Sequence, residues 1–258
     1  MNDLERYFRQ NDKRLIDKWV HYFDIYERHF SRFRHREIVI LEIGVYQGGS
    51  LQMWKDYFGP QAKIYGIDNN PQCKQLEEEN ITIFTGSQSD RKFLKSIKAS
   101  IPKIDILIDD GGHTMQQQIV SFEELFDHVS DDGVYLCEDL HTSYWLKDGG
   151  GHKRTGTFIE YSKNFIDALN AHHSEQKRLT VTDFTNQVNS IHYYDSMLVI
   201  EKKSRTKPYT EKTGTPSVQD MQSPQTTFQR ATYKLSRNFI KIINKVLRFF
   251  RIRSFIWK

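Results

Sequence analysis

Two rhythms of apolar residues run through this chain. Between residues 36 and 140, short unbroken apolar runs alternate with stretches whose apolar positions recur every three or four residues. The runs at 38–43, 63–68, 81–85, 104–109 and 134–138 predict buried strands, with helices filling the gaps. Strand and helix alternating over short connections imply a parallel sheet. Farther on, 188–194 and 196–201 are two strand-like runs separated by Asp195, which predicts an antiparallel hairpin at the sheet edge. The expected fold class is α/β. Its core is a Rossmann-like, seven-stranded, mostly parallel sheet with an antiparallel edge hairpin, helices on both faces, and helical N- and C-terminal extensions.

The flanks follow the helical rhythm. Leu4, Tyr7 and Phe8, then Trp19, Phe23, Tyr26 and Phe30, are spaced for amphipathic helices whose aromatic stripe packs on the core or reaches a substrate. Asp148, Gly149, Gly150 and Gly151 predict either a mobile lid or a solvated loop, and a helix is expected near 157–171. Residues 203–227, rich in Lys, Thr, Ser, Pro and Gln, predict a flexible linker. The expected organisation is a helical extension at 1–35, a main domain at 36–202, the linker at 203–227 and a basic amphipathic helix at 228–258.

Composition narrows the class. A chain of 258 residues with 38% hydrophobic content can bury one sizeable core. Its two cysteines, Cys73 and Cys137, are too few for a disulfide framework and fit a reducing cytoplasm. The charged N-terminus lacks the apolar core of a secretory signal, and no run is long enough to cross a bilayer. The net charge of +4 hides an asymmetry: nine of the 37 Lys and Arg lie in 221–258 with no acid, leaving 28 basic against 33 acidic residues elsewhere.

The candidate chemistry lies just beyond the strands. Asp109-Asp110-Gly111-Gly112-His113 and Glu138-Asp139-Leu140-His141 each follow an apolar run, and in an open parallel sheet such positions converge on one crevice. Crowded carboxylates need a divalent cation or a shared proton to coexist, so these stretches suggest a metal site beside a general base. The first strand ends in Glu42-Ile43-Gly44-Val45-Tyr46-Gln47-Gly48-Gly49-Ser50, a glycine turn that lets backbone approach a nucleoside. Neither a P-loop ending nor the dinucleotide glycine spacing is present. Asp68, at the end of the second strand, can accept from ribose hydroxyls, and Ser87 and Gln88 follow the third strand where an adenine would lie. Together the three turns suggest S-adenosylmethionine, with Glu42, Gly44, Tyr46, Gly48, Asp68, Ser87 and Gln88 as candidate contacts. Asp109 is expected either at the cofactor's methionine part or in a structural role. His141, Tyr144 and Trp145 are candidates for the substrate cleft.

The EIGVYQGG turn, GID, IDDGGH and CEDLHTSYW make the chain similar to class I S-adenosylmethionine-dependent methyltransferases, specifically the metal-dependent sugar O-methyltransferases of macrolide and rhamnoside tailoring, including relatives named cephalosporin hydroxylase. The similarity runs from about Trp19 to Glu201. It implies that Asp110, Glu138 and Asp139 hold Mg²⁺ and that His113 is the general base. A sugar hydroxyl in a glycan or glycosylated metabolite is the acceptor this implies; a non-sugar diol is the alternative, and a catalytically silent membrane- or partner-binding protein is the rival class. Relatives of this kind are usually homo-oligomers.

In the tail, Arg230, Lys234, Arg237, Lys241, Lys245 and Arg248 recur at three- and four-residue intervals, with apolar positions between them. Such a helix is expected either to lie on an anionic membrane surface or to pack against protein. No specific nucleic acid is expected, since basic charge alone reads no bases. The expected location is the cytoplasm, with peripheral contact at the inner membrane face if the tail binds lipid.

Overall fold

A computed structural model describes residues 1–218 and 227–249. Seven strands form one sheet: β1 (Val39–Ile43), β2 (Lys63–Asp68), β3 (Ile81–Thr85), β4 (Ile104–Asp109), β5 (Val129–Cys137), β6 (Val188–Tyr194) and β7 (Met197–Lys202), in the order β3-β2-β1-β4-β5-β7-β6. The first five pair in parallel, and β7 pairs antiparallel with both β5 and β6. The expected Rossmann-like sheet with its edge hairpin is present. β5 starts earlier than its apolar run because Val129 pairs with Ile104 before the register shifts past the polar residues 130–133.

Side-chain alternation divides the core into two layers. Ile40, Ile64, Ile83, Ile106, Ile108 and Leu136 face α1 (Asp3–Gln10), α2 (Tyr22–Phe30) and α3 (Gly49–Phe58). Leu41, Ile67, Leu107, Tyr135 and Ile200 face α4 (Arg91–Ser100), α5 (Met115–Leu125) and the helices that follow β5. The N-terminal helices are part of the first layer, with Leu4, Phe23, Tyr26 and Phe30 fully buried alongside Trp54 and Phe58. Trp19 breaks from the predicted stripe: it precedes α2 and is 55% exposed.

The helix expected near 157–171 is two short ones, α6 (Phe158–Ser162) and α7 (Asn164–Leu169), followed by α8 (Asp183–Gln187). The glycine loop after β5 is pinned, because a Cβ on Gly150 would lie 2.4 Å from the Thr142 carbonyl oxygen. Both cysteines are free and buried.

By its contacts the chain divides into two units, Met1–Pro208 and Tyr209–Lys258. Residues 203–218 contain no helix or strand, and 219–226 and 250–258 of the expected linker and tail lie outside the described residues. The second unit contains α9 (Thr227–Phe249), on which Leu235, Phe239, Ile242 and Val246 are exposed. At 100° per residue this apolar side is turned by about 125° from the side that carries Lys234, Arg237, Lys241 and Lys245. Among the described residues, no helix is long and apolar enough to cross a membrane.

Candidate active site

Sheet register builds the site. Ile43 pairs with Ile67 and with Asp109, and Asp109 pairs with Cys137. The next residues, Gly44, Asp68, Asp110 and Glu138, therefore stand in one row at the carboxyl ends of four parallel strands. Above this row opens a cleft of about 940 Å³, walled by the loops after β1, β2, β3, β4 and β5 and by residues 15–20 of the segment joining α1 to α2. That volume lies in the range of small-molecule sites.

At one end of the cleft, the Asp68 carboxylate accepts from the backbone amides of Val45, Tyr46 and Asn70 at 2.8–3.0 Å. It thereby fixes the glycine turn. Gly44 has φ +96°, and a Cβ there would lie 2.0 Å from the Asp110 carbonyl oxygen, so the two loops touch only because residue 44 has no side chain. Gly48, at φ +75°, begins α3. Tyr46 and Ser87 line the same end. The buried Gln88 amide is committed on both sides: its oxygen accepts from Gly112 N at 2.7 Å, and its nitrogen donates to Asp109 and Ser121. Gln88 thus shapes the DDGGH turn from within the cleft wall.

At the other end, one carboxylate oxygen of Asp110, one of Asp139 and one ring nitrogen of His113 lie within 4.8 Å of one another. His113 Nε2 is 3.8 Å from Asp110 Oδ1 and 3.5 Å from Asp139 Oδ2. His113 and Asp139 both have left-handed backbones, at φ 55° and 56°. Such conformations are uncommon outside glycine and concentrate at functional sites. His113 is held there by Thr142, whose hydroxyl donates to its carbonyl at 2.9 Å, and Asp139 by the Tyr22 hydroxyl at 2.8 Å. Capping does not explain Asp110 and His113, since Thr114 with Gln117 supplies the box that starts α5.

Glu138 lines the cleft beside this group and is engaged by Lys18. Both its oxygens accept from Lys18 Nζ, at 3.0 and 3.1 Å, and one also accepts from the Tyr26 hydroxyl at 2.7 Å. Lys18 donates at 2.5 Å to Asp110 Oδ2 as well and stands 3.7 Å from Glu42. Burial raises the pKa of Glu138 and of Asp110, with Lys18 pulling both the other way. Burial opposes the charge of Lys18 too, yet the three carboxylates outweigh it and hold the ammonium charged.

Two expected cofactor contacts are placed off the cleft wall. Glu42 is fully buried and gives its carboxylate to Ser50, at 2.8 Å, and to Lys18. Asp109, also fully buried, points into the opposite layer toward Gln88, and burial pushes its pKa up to about 6. For Asp109 the cause is strand alternation: as the last residue of β4 it points to the layer opposite Ile108 and leaves Asp110 to face the cleft.

Beyond the acidic group an aromatic rim faces solvent. The His141 ring lies 5.8 Å from Trp19 and 4.6 Å from Trp145, and Trp19, Tyr144 and Trp145 are all exposed. His141 Nδ1 is 3.9 Å from Asp139. His141, Tyr144 and Trp145, expected at the substrate side, stand here with Trp19, for whose stripe core packing and substrate contact were both open; no sequence signal marks Lys18.

The oxygen donors suit a hard divalent cation: the carboxylates of Asp110 and Asp139, with Glu138 beside them, in a place where the acids outnumber the one ammonium. The buried His113 Nδ1 and Asp109 Oδ2 have no hydrogen-bond partner. The other end, an acid beneath a glycine turn at a helix start, suits a nucleoside.

Residues 41–140 match a protein family described as a methyltransferase domain. The rhamnosyl tetracenomycin-C 2'-O-methyltransferase of Streptomyces olivaceus is 36% identical over 205 residues, 74% of this chain and 53% of that protein. Demethylmacrocin O-methyltransferase of Streptomyces fradiae is 36% identical over 202 residues, 73% of this chain and 51% of its own. Among solved structures, the MycE methyltransferase of the mycinamycin biosynthetic pathway, in complex with Mg and SAH, aligns with a TM-score of 0.70 at 31% identity, over 79% of this chain and 55% of that one. The chain spans about half the length of the curated relatives it matches.

Proposed function

The chain carries a class I methyltransferase domain homologous to the sugar O-methyltransferases of macrolide and tetracenomycin pathways, and on that premise we propose that it methylates a sugar hydroxyl of a glycosylated small molecule, using S-adenosylmethionine and Mg²⁺. The observation that carries this reading is the convergence of Asp110, His113 and Asp139 at the acceptor end of a cleft whose far end is the glycine turn over Asp68.

When bound, S-adenosylmethionine supplies an electrophilic methyl group and the metal lowers the cost of taking a proton from an alcohol. This chain's residues do the rest. Asp110 and Asp139 would hold the cation, with Glu138 the third acid at its border. His113 Nε2 faces both carboxylates and would take the hydroxyl proton as the oxygen attacks. Tyr22 and Thr142 hold the two strained backbones in place, so the base and the ligand are set before substrate arrives. Gly44, Tyr46, Gly48, Asp68 and Ser87 would seat the nucleoside. Trp19, His141, Tyr144 and Trp145 give a half-polar aromatic surface on which the apolar face of a sugar ring can lie while neighbouring hydroxyls point at the acids.

The test is methyl transfer from labelled cofactor to a panel of deoxysugar glycosides and catechols. Transfer to glycosides is expected, with loss in EDTA and a fall of about 10²- to 10⁴-fold for His113→Ala. Full activity in both cases would remove the mechanism, and transfer to catechols alone would replace the sugar reading.

The tail has its own reading. The separate basic and apolar sides of α9 support a helix that lies on an anionic membrane surface, bringing the domain to a lipid-linked acceptor. Cosedimentation with anionic vesicles should be lost on shortening the chain at Ser204; equal sedimentation of both lengths refutes it.

A further inference from the structure

Lys18 stands where a lysine is costly. Its side chain is 3% exposed, and its ammonium is held by Asp110 and Glu138 with Glu42 close by. Removing a lysine charge from water is repaid only by close, well-bonded partners, and none of the steps proposed above uses this one. The segment that delivers it, between α1 and α2, is tied down upstream. Arg14 donates to the Leu76 carbonyl at 2.8 Å and pairs with Glu78 at 3.4 Å. The carbonyls of Arg14 and Leu15 lie so close over α3 that a Cβ on Gly49 would come within 2.4 Å of each. Downstream, Trp19 and Val20 are exposed at the cleft mouth while their carbonyls accept from the amides of Tyr22 and Phe23, so the short exposed span carrying Lys18 lies between two anchors.

We propose that Lys18 is the exchangeable counter-ion of the metal site: its ammonium holds Asp110 and Glu138 together until a divalent cation displaces it, and its departure shifts residues 16–20 at the cleft mouth. This rests on the metal reading above. Asp110 belongs to both arrangements, with Oδ2 on Lys18 and Oδ1 toward His113. A hard cation closes to about 2.1 Å on its oxygens, and an ammonium 2.5 Å from the same carboxylate is a second positive charge at contact range. Mutual repulsion then favours one or the other. Charge also favours the exchange, since a dication beside Asp110, Glu138 and Asp139 carries twice the charge of the ammonium it replaces. Before loading, the lysine performs a separate service, because without it these buried acids would push one another apart. Trp19 is the adjoining residue and part of the aromatic rim, so exchange couples metal loading to the shape of the acceptor surface.

Two measurements on the full chain test this, with Mn²⁺ as the probe. Paramagnetic-resonance titration should show Mn²⁺ binding at least tenfold tighter to Lys18→Met than to the unaltered protein. In the unaltered protein, acetic anhydride labelling read by mass spectrometry should find Lys18 protected without metal and labelled at least fivefold faster with saturating Mn²⁺. Equal or weaker Mn²⁺ binding by a folded Lys18→Met, or Lys18 labelling that ignores bound Mn²⁺, overturns the exchange and leaves the metal reading standing. If neither protein binds Mn²⁺, both fall. Should Lys18→Met fail to fold, the labelling measurement decides alone.

Discussion

Gly44 shows how narrowly single positions are specified here. Its φ of +96° and the Asp110 carbonyl 2.0 Å from any Cβ mean that even alanine must move backbone on one side of the cleft. Gly44→Ala should therefore cost at least about 3 kcal/mol, read by denaturant unfolding; a loss within error of zero would show that the two loops can separate freely. The acids at 110, 138 and 139 and His113 were legible in sequence because polar residues directly after buried strands stand out. Which of Asp109 and Asp110 faces the cleft was not legible. A strand buried on both faces shows no alternation of polar and apolar residues, so nothing marked Asp109 as inward. Lys18 escaped for another reason, that a lone lysine before a helix carries no signal, while the spacing that put Trp19 in the α2 stripe could not show that α2 begins only at Tyr22.

Elements were read best where one physical rule acts alone. Strands β2, β3 and β4 match their apolar runs end to end, whereas β5 is extended by pairing and α6 and α7 are separated at Lys163. Gly49 gained a meaning that only packing reveals: it admits the segment leading to Lys18. Gly49→Ala should dislodge that segment while leaving the sheet intact, so trypsin should cut after Arg14 or Lys18 several-fold faster with little change in far-ultraviolet dichroism. Unchanged cutting would mean that the segment is held by other contacts.

Helix α2 also joins the edge hairpin through a titratable pair. His29 bonds Glu201 at 2.8 Å and the Tyr194 hydroxyl at 2.9 Å. Burial pushes the His29 imidazole below its usual 6.5, against the pull of Glu201 and aided by His192 and Arg28. A base with a lowered folded pKa is protonated first in the unfolded chain, so stability is lost as pH falls below 6.5 toward the folded value. Burial raises Glu201, but the His29 bond and Arg32 outweigh it and keep it low, which adds acid sensitivity further down. The melting temperature should fall between about pH 7 and pH 5.5, and His29→Gln should flatten that fall. Identical slopes would assign the acid sensitivity elsewhere.

At the level of the whole molecule, the order of elements along 36–202 gave the sheet before any coordinates, because βαβ connections allow few topologies. The first 35 residues, expected as a helical extension whose stripe packs on the core or reaches a substrate, bury Leu4, Phe23, Tyr26 and Phe30 in the first core layer. Stability should reside in Met1–Pro208, whose two core layers contain all the strands. Shortening the chain after Pro208 is expected to leave the melting temperature within about 2 °C, measured by calorimetry; a larger drop would mean that the tail contributes to the fold.

The cleft thus has two owners. Its floor, with Asp110, His113 and Asp139, comes from strand-end loops, while one wall, with Lys18 and Trp19, comes from residues 15–20, outside the stretch that matches the methyltransferase family. The first 35 residues therefore touch both the acids, through Lys18, Tyr22 and Tyr26, and the aromatic rim, through Trp19. Exchanging only the first 35 residues between two homologues should change cation affinity and acceptor preference together, and a change in one alone would show that the two are separable.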